Sequence, residues 1–191
     1  MDTLITTLRD CLPAILHDFN EVRLPALETA LGRPFREEFM TETTDSVTKV
    51  LCRPINNALF RHIHARLPEF TERATKGSDW DFGDIPIEDK NTFSESDSWT
   101  GNGFDKTGWH LLKKFKINET GRITEAFVAL VDITKCKGCW TDRGDTSNFS
   151  SLKFACEDLP HIHVIHGNVK PKKKWLGFQT AAPLQTQGTL D

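Results

Sequence analysis

The chain has 191 residues, of which 38% are hydrophobic and 27% charged, with a formal net charge of −3. That length supports one domain with a sizeable core, and the balance fits an ordinary globular protein, not a disordered or strongly basic one. No apolar run is long enough to span a bilayer, and charges break the apolar pattern of MDTLITTLRDCLPAILHDF, so a cytoplasmic protein with no membrane partner is expected.

Residues 4–31 carry apolar side chains at helical spacing: Leu4, Leu8, Leu12 and Ile15, then Leu24, Leu27 and Leu31. The spacing predicts helix, with Pro13 and Pro25 at starts or kinks and Gly32-Arg33-Pro34 as the stop. A second helical stretch is expected over 44–73, its stripe formed by Val47, Val50, Leu51, Ile55, Leu59, Ile63 and Leu67. Arg53, Arg61, His62, His64 and Arg66 form its polar remainder. A solvated face is the commoner meaning of such residues. The functional one is a helix laid against DNA phosphates or across a dimer seam.

From residue 78 the pattern changes to strands. Residues 79–83 and 85–92 read as a hairpin, and 94–108, rich in Ser, Gly, Asn and Asp, as a loop. WHLLKKFKI (109–117) reads as a strand bearing Lys113, Lys114 and Lys116. AFVALVDI (126–133) is the continuous apolar run of a strand covered on both faces. Residues 136–149 look loop-like, 150–158 a short helix, 161–166 a strand with alternate histidines, and 175–180 a last strand. The order predicts an α/β (α+β) fold, a mixed central sheet flanked by helices. A single domain over 1–191 is expected, with 1–75 mainly helical and 78–180 forming the sheet.

The chemistry concentrates in the hairpin, DFGDIPIEDK (81–90). Residues two apart on a strand share a face, so Glu88 and Lys90 project together, with Asp81 on the adjoining strand or turn able to meet them. Two carboxylates can hold a hard divalent cation, and a lysine beside them can orient a water or offset charge on a phosphate. Asp79 and Asp84 compete with Asp81 for the leading acidic position, and Glu69 or Glu72 could add a carboxylate.

The segment resembles the PD-(D/E)xK nuclease superfamily, whose signature is an Asp followed by Asp/Glu-x-Lys on consecutive strands. Asp81-Phe82 and the short gap to Glu88-x-Lys90 look most like the mismatch-repair nicking endonuclease and its restriction-enzyme relatives. The chain departs from the pattern at two places: no proline precedes Asp81, and Asp89 stands where an apolar side chain is usual. A buried Asp89 demands a partner. The resemblance implies a restriction-endonuclease-like fold and a Mg2+-dependent type II restriction endonuclease acting on double-stranded DNA as a homodimer. It also implies Asp81 and Glu88 as metal ligands and Lys90 as the residue that positions or activates the attacking water. A monomeric nicking or repair endonuclease is the alternative within the same fold.

Candidate DNA contacts are Trp99, Asn102 and Lys106 in the 94–108 loop, Lys113 on the following strand, and Lys172, Lys173 and Lys174 before Trp175. The segment 136–149 is a second place for base contacts. Five cysteines, an odd count, fit reduced thiols. Cys136 and Cys139, in a C-x-x-C, could hold structural Zn2+ with Cys156 or nearby histidines, which would instead point to a non-enzymatic DNA-binding or interaction module.

Overall fold

The computed structural model describes residues 1–35, 44–73, 79–102, 107–137, 140–142 and 149–182. The chain begins with helix α1 (Asp2–Asp18), which buries Leu4, Ile5, Leu8, Leu12, Ile15 and Leu16. The helix passes through a π turn (Phe19–Arg23) into α2 (Leu24–Leu31), and Gly32 ends it in the left-handed conformation. The expected run over 4–31 is therefore one rod with an inserted residue rather than two helices. Asn20 in the π turn accepts from the Ile123 N–H at 2.8 Å and donates to the Ile123 carbonyl at 2.9 Å, clasping the rod to the sheet. Helix α3 (Thr44–His64) packs on α1, with buried Asp18 joined to Arg23 and reaching His62 of α3 at 3.5 Å.

The fold is α+β. A six-stranded sheet has the order β1 (Phe70–Glu72), β2 (Trp80–Phe82), β3 (Ile85–Thr92), β5 (Trp109–Ile117), β6 (Ile123–Asp132), β9 (Ile162–His166). Every neighbouring pair is antiparallel except β3 with β5, so the sheet is mixed as expected. Parallel neighbours need a crossover. Here it carries β4 (Trp99–Asn102), which pairs with β8 (Phe149–Leu152) and through it β7 (Trp140–Asp142) in a second, three-stranded sheet. A hairpin of β10 (Asn168–Lys172) and β11 (Trp175–Gln179) follows.

One face of the large sheet meets the helices through Trp80, Ile87, Leu111, Phe115, Val128 and Leu130. The other buries Leu112, Phe127, Ala129 and Val131 against Trp99, Leu152, Phe154 and Phe178. Both faces of β6 are thus covered, which is why its run is apolar without alternation. Four expectations are corrected. The second helix stops at His64, and 70–72 is strand. The 94–108 stretch contains β4, because Trp99 supplies a core side chain that its polar neighbours hide in the sequence. Residues 150–158 form the end of β8 and the start of a 3-10 helix (Cys156–His161), and 136–149 includes β7. Strand β10 has no apolar signature because its residues are mostly exposed.

Gly167 turns the chain from β9 to β10 at φ +84°, where a Cβ would meet the Gln179 carbonyl oxygen at 2.5 Å. Both the left-handed backbone and the contact oppose a side chain. Gly167→Ala is expected to lower stability by roughly 2–4 kcal/mol in urea unfolding. A midpoint equal to wild type would contradict this packing.

Candidate active site

The β2–β3 hairpin turns at Gly83-Asp84, with Gly83 at φ +57° and Phe82 paired with Ile85. Asp84 is exposed in that turn. Along β3 the burial alternates: Ile87 and Asp89 are buried, while Glu88 and Lys90 lie on the other face. Glu88 and Lys90 meet as expected, Lys90 Nζ lying 2.5 Å from Glu88 Oε1 with each side chain 11% exposed. In register they stand opposite His110 and Leu112 of β5.

The two leading acid candidates are placed differently. Asp81 pairs in register with Pro86, on the Glu88 face, and its carboxylate is 3.6 Å from Arg73 Nε. Asp79 is exposed as a residue, yet its carboxylate turns inward and Oδ2 accepts the Asp89 N–H at 2.7 Å. It is therefore anchored on the peptide between Glu88 and Lys90. Desolvation holds the Asp79 carboxyl above its ordinary range, and the Asp89 and Glu88 carboxylates add to this against the Asp89 N–H and Lys90. Asp79 thus shares one electrostatic neighbourhood with Glu88 and Lys90.

Asp89 has the partners its burial demands. Its Oδ1 is 2.9 Å from Lys113 Nζ, and both side chains are almost wholly buried. Oδ2 accepts from Asn56 of α3 at 2.7 Å and from the Asn91 amide. Lys113 also donates to Asn56 Oδ1 at 2.7 Å and lies 4.9 Å from the centre of the Trp80 ring. Beside this network, burial and the nearby Asp89 push the Cys52 thiol up to about 12, which favours its protonated form.

A cleft of about 370 Å³ opens between α3 and the β1–β2 edge. Cys52, Arg53, Asn56 and Asn57 line one wall, and Glu72, Arg73, Asp79 and Trp80 the other. Glu72 reaches it from β1, not from a helix end.

Several expected DNA contacts are corrected. Trp99 is 1% exposed and its indole N–H donates to the Lys113 carbonyl, so it cannot stack on a base. Lys113 is committed to Asp89 beneath α3 and is not open to a phosphate. Asn102 ends β4, and Lys106 lies outside the described residues. Lys173 and Lys174 are exposed at the β10–β11 tip, Lys173 in the left-handed region at φ 56° and Lys174 over Trp175. Lys172 is tied at 2.6 Å to Asp97, which also accepts the Phe178 N–H at 3.0 Å. Burial would raise the Asp97 carboxyl, but these bonds and Lys114 hold it below its ordinary range.

Cys139 lies outside the described residues, and the Cys136 thiol donates to the Asp132 carbonyl. Among the described residues no three His, Cys, Asp or Glu side chains converge on a metal position, and no helix is long and apolar enough to cross a membrane. No protein-family model matches the chain, and no curated protein matches it.

The parts that sequence reasoning missed are the Asp89–Lys113 network and the cleft beside Arg53, a residue it names only within the polar face of its helix. A signal existed for the first: Lys113 has the same strand parity as Trp109, Leu111 and Phe115, the inward series of β5.

Proposed function

We propose that the protein is a Mg2+-dependent endodeoxyribonuclease that hydrolyses phosphodiester bonds of double-stranded DNA at a short specific sequence, in the manner of a type II restriction endonuclease. The observation that carries the reading is the Glu88–Lys90 pair on one face of β3, with Asp79 anchored on the N–H of the residue between them.

The donor set fits magnesium. Mg2+ is typically held by one or two carboxylates, with waters and substrate phosphate completing its shell, so a site with fewer than three protein donors suits it. Asp79 and Glu88 would hold the ion, and the mutual repulsion of these carboxylates is the kind of cost a cation removes. When bound, the ion supplies charge stabilisation and a more acidic water. Asp79 replaces Asp81 in this role because Asp81 is engaged by Arg73. Lys90 positions the attacking water and offsets charge developing on the phosphate. Lys173 and Lys174, with the Trp175 ring beside them, suit contact with the DNA backbone. A homodimer, one active site per strand, suits a palindromic target.

The test is incubation of unmethylated phage DNA with wild type and Lys90→Ala, in Mg2+ and in EDTA. Discrete fragments are expected from wild type in Mg2+ alone, with cutting by Lys90→Ala slowed about 10²–10⁴-fold. Intact DNA under every condition would overturn the reading. Nicks without double-strand breaks would indicate a nicking enzyme.

A further inference from the structure

We infer that the cleft between α3 and the β1–β2 edge is a binding site for a DNA phosphodiester, with Arg53 as its phosphate contact; this rests on the nuclease reading. Four observations carry it.

First, the cleft is joined to the proposed centre through a shared residue. Asp79 lines it and is bonded to the Asp89 N–H, between Glu88 and Lys90. Whatever enters the cleft lies beside Asp79, on the α3 side of the sheet, with Glu88 and Lys90 on its other face.

Second, the donors of the lining divide into committed and free ones. Asn56 spends its amide on Asp89 and accepts from Lys113. Arg73 is engaged by Asp81. Arg53 and Asn57 are exposed on α3, and neither has a hydrogen-bond or ion-pair partner among the described residues. A guanidinium presents a planar fork of donors that matches two oxygens of one phosphate, and an amide N–H adds a third bond.

Third, α3 is held firmly where Arg53 leaves it. Leu51 and Ile55 on either side are buried, and Asn56 is fastened to the sheet through the Asp89–Lys113 network. A phosphate contact on a fixed helix sets the strand's position, as phosphate contacts do in general.

Fourth, the charges specify what the ligand brings. Glu72 and Asp79 share the lining with the arginines. A bare phosphate would be repelled by these carboxylates, whereas a phosphate bound together with a divalent cation satisfies both signs. The site is therefore expected to fill only when DNA and cation are both present.

The test is DNA binding, separate from cleavage. A fluorescent mixed-sequence duplex is titrated, by anisotropy over a range of salt, onto Lys90→Ala and onto Lys90→Ala combined with Arg53→Ala, Arg53→Lys or Arg53→Glu. Each titration is run in Mg2+ and in EDTA. Losing one phosphate contact should shrink the slope of log affinity against log salt by about 0.9. That loss is expected for Arg53→Ala in Mg2+ and not in EDTA, with Arg53→Lys keeping most of the slope and Arg53→Glu binding more weakly still. An unchanged slope for Arg53→Ala would overturn the inference, as would a change of equal size in EDTA. Arg53 is exposed, so urea midpoints should match and exclude misfolding as the cause. The two readings separate cleanly. Phage DNA cut by wild type with an Arg53-independent slope sinks this site alone. Uncut phage DNA with an Arg53-dependent slope sinks the nuclease and leaves a phosphate site. No DNA binding at all sinks both.

Discussion

Lys113→Met is expected to destabilise the protein by about 3–5 kcal/mol, the range for removing one partner of a buried ion pair. The substitution nearly conserves volume, so little of that cost is a cavity. It comes from Asp89, whose side chain is 2% exposed and would keep its charge with only the Asn56 and Asn91 amides for partners. The lost contact over the Trp80 ring adds a smaller amount. The double variant Asp89→Leu, Lys113→Met should recover part of the loss, because an apolar pair of similar size commonly matches a buried ion pair but leaves the Asn56 and Asn91 amides without the carboxylate they donate to. Urea unfolding of wild type, both single variants and the double gives the coupling energy directly. A Lys113→Met midpoint within about 1 kcal/mol of wild type would show that Asp89 finds adequate solvation without its lysine.

The second large effect separates two carboxylates that sequence alone leaves in competition. Asp79→Asn is expected to reduce cleavage by at least about 10–100-fold, the scale for disturbing a metal site, while Asp81→Asn stays within a few-fold of wild type. The asparagine oxygen can still accept the Asp89 N–H, so the hairpin should keep its shape. Stability should move the other way. Asp79 has its carboxyl raised by burial and neighbouring carboxylates. An acid raised in the folded state favours folding most below its ordinary value and opposes it increasingly as pH rises through the raised one. Removing that charge should leave Asp79→Asn at least as stable as wild type at neutral pH, with the difference shrinking in acid. Cleavage retained by Asp79→Asn and lost by Asp81→Asn would return the metal to Asp81. A variant that loses both activity and stability would show that the aspartate is structural.

The strands were legible where one physical constraint dominated. WHLLKKFKI and AFVALVDI announced β5 and β6 because central strands need apolar cover. The Glu88–Lys90 contact followed from parity alone. The site's surroundings were less legible, because they come from residues distant in the chain. Asn56 and Lys113 are separated by 57 positions, yet both serve Asp89. Lys113 reads as a DNA contact because its charge outweighs its inward parity, and Trp99 reads as a stacking group because it sits among serines and glycines. In both cases local composition pointed outward and the tertiary contact pointed inward. Asp79 illustrates a further limit: its value lies in a bond to a backbone N–H, which no spacing rule can forecast.

Strand β3 alternates two polar sets, Glu88 and Lys90 on one side and Asp89 and Asn91 on the other. A slip of one residue against β5 would exchange them, pressing Glu88 and Lys90 into the helix-facing core. Such an error would cost little in a strand that was apolar on both sides. Here it would separate Lys113 from Asp89 and carry the Glu88–Lys90 pair onto the face packed against α3. The acidic residue at the middle of Glu-x-Lys therefore ties β3 to one alignment, the one in which Asp89 meets Lys113 and Asn56 together.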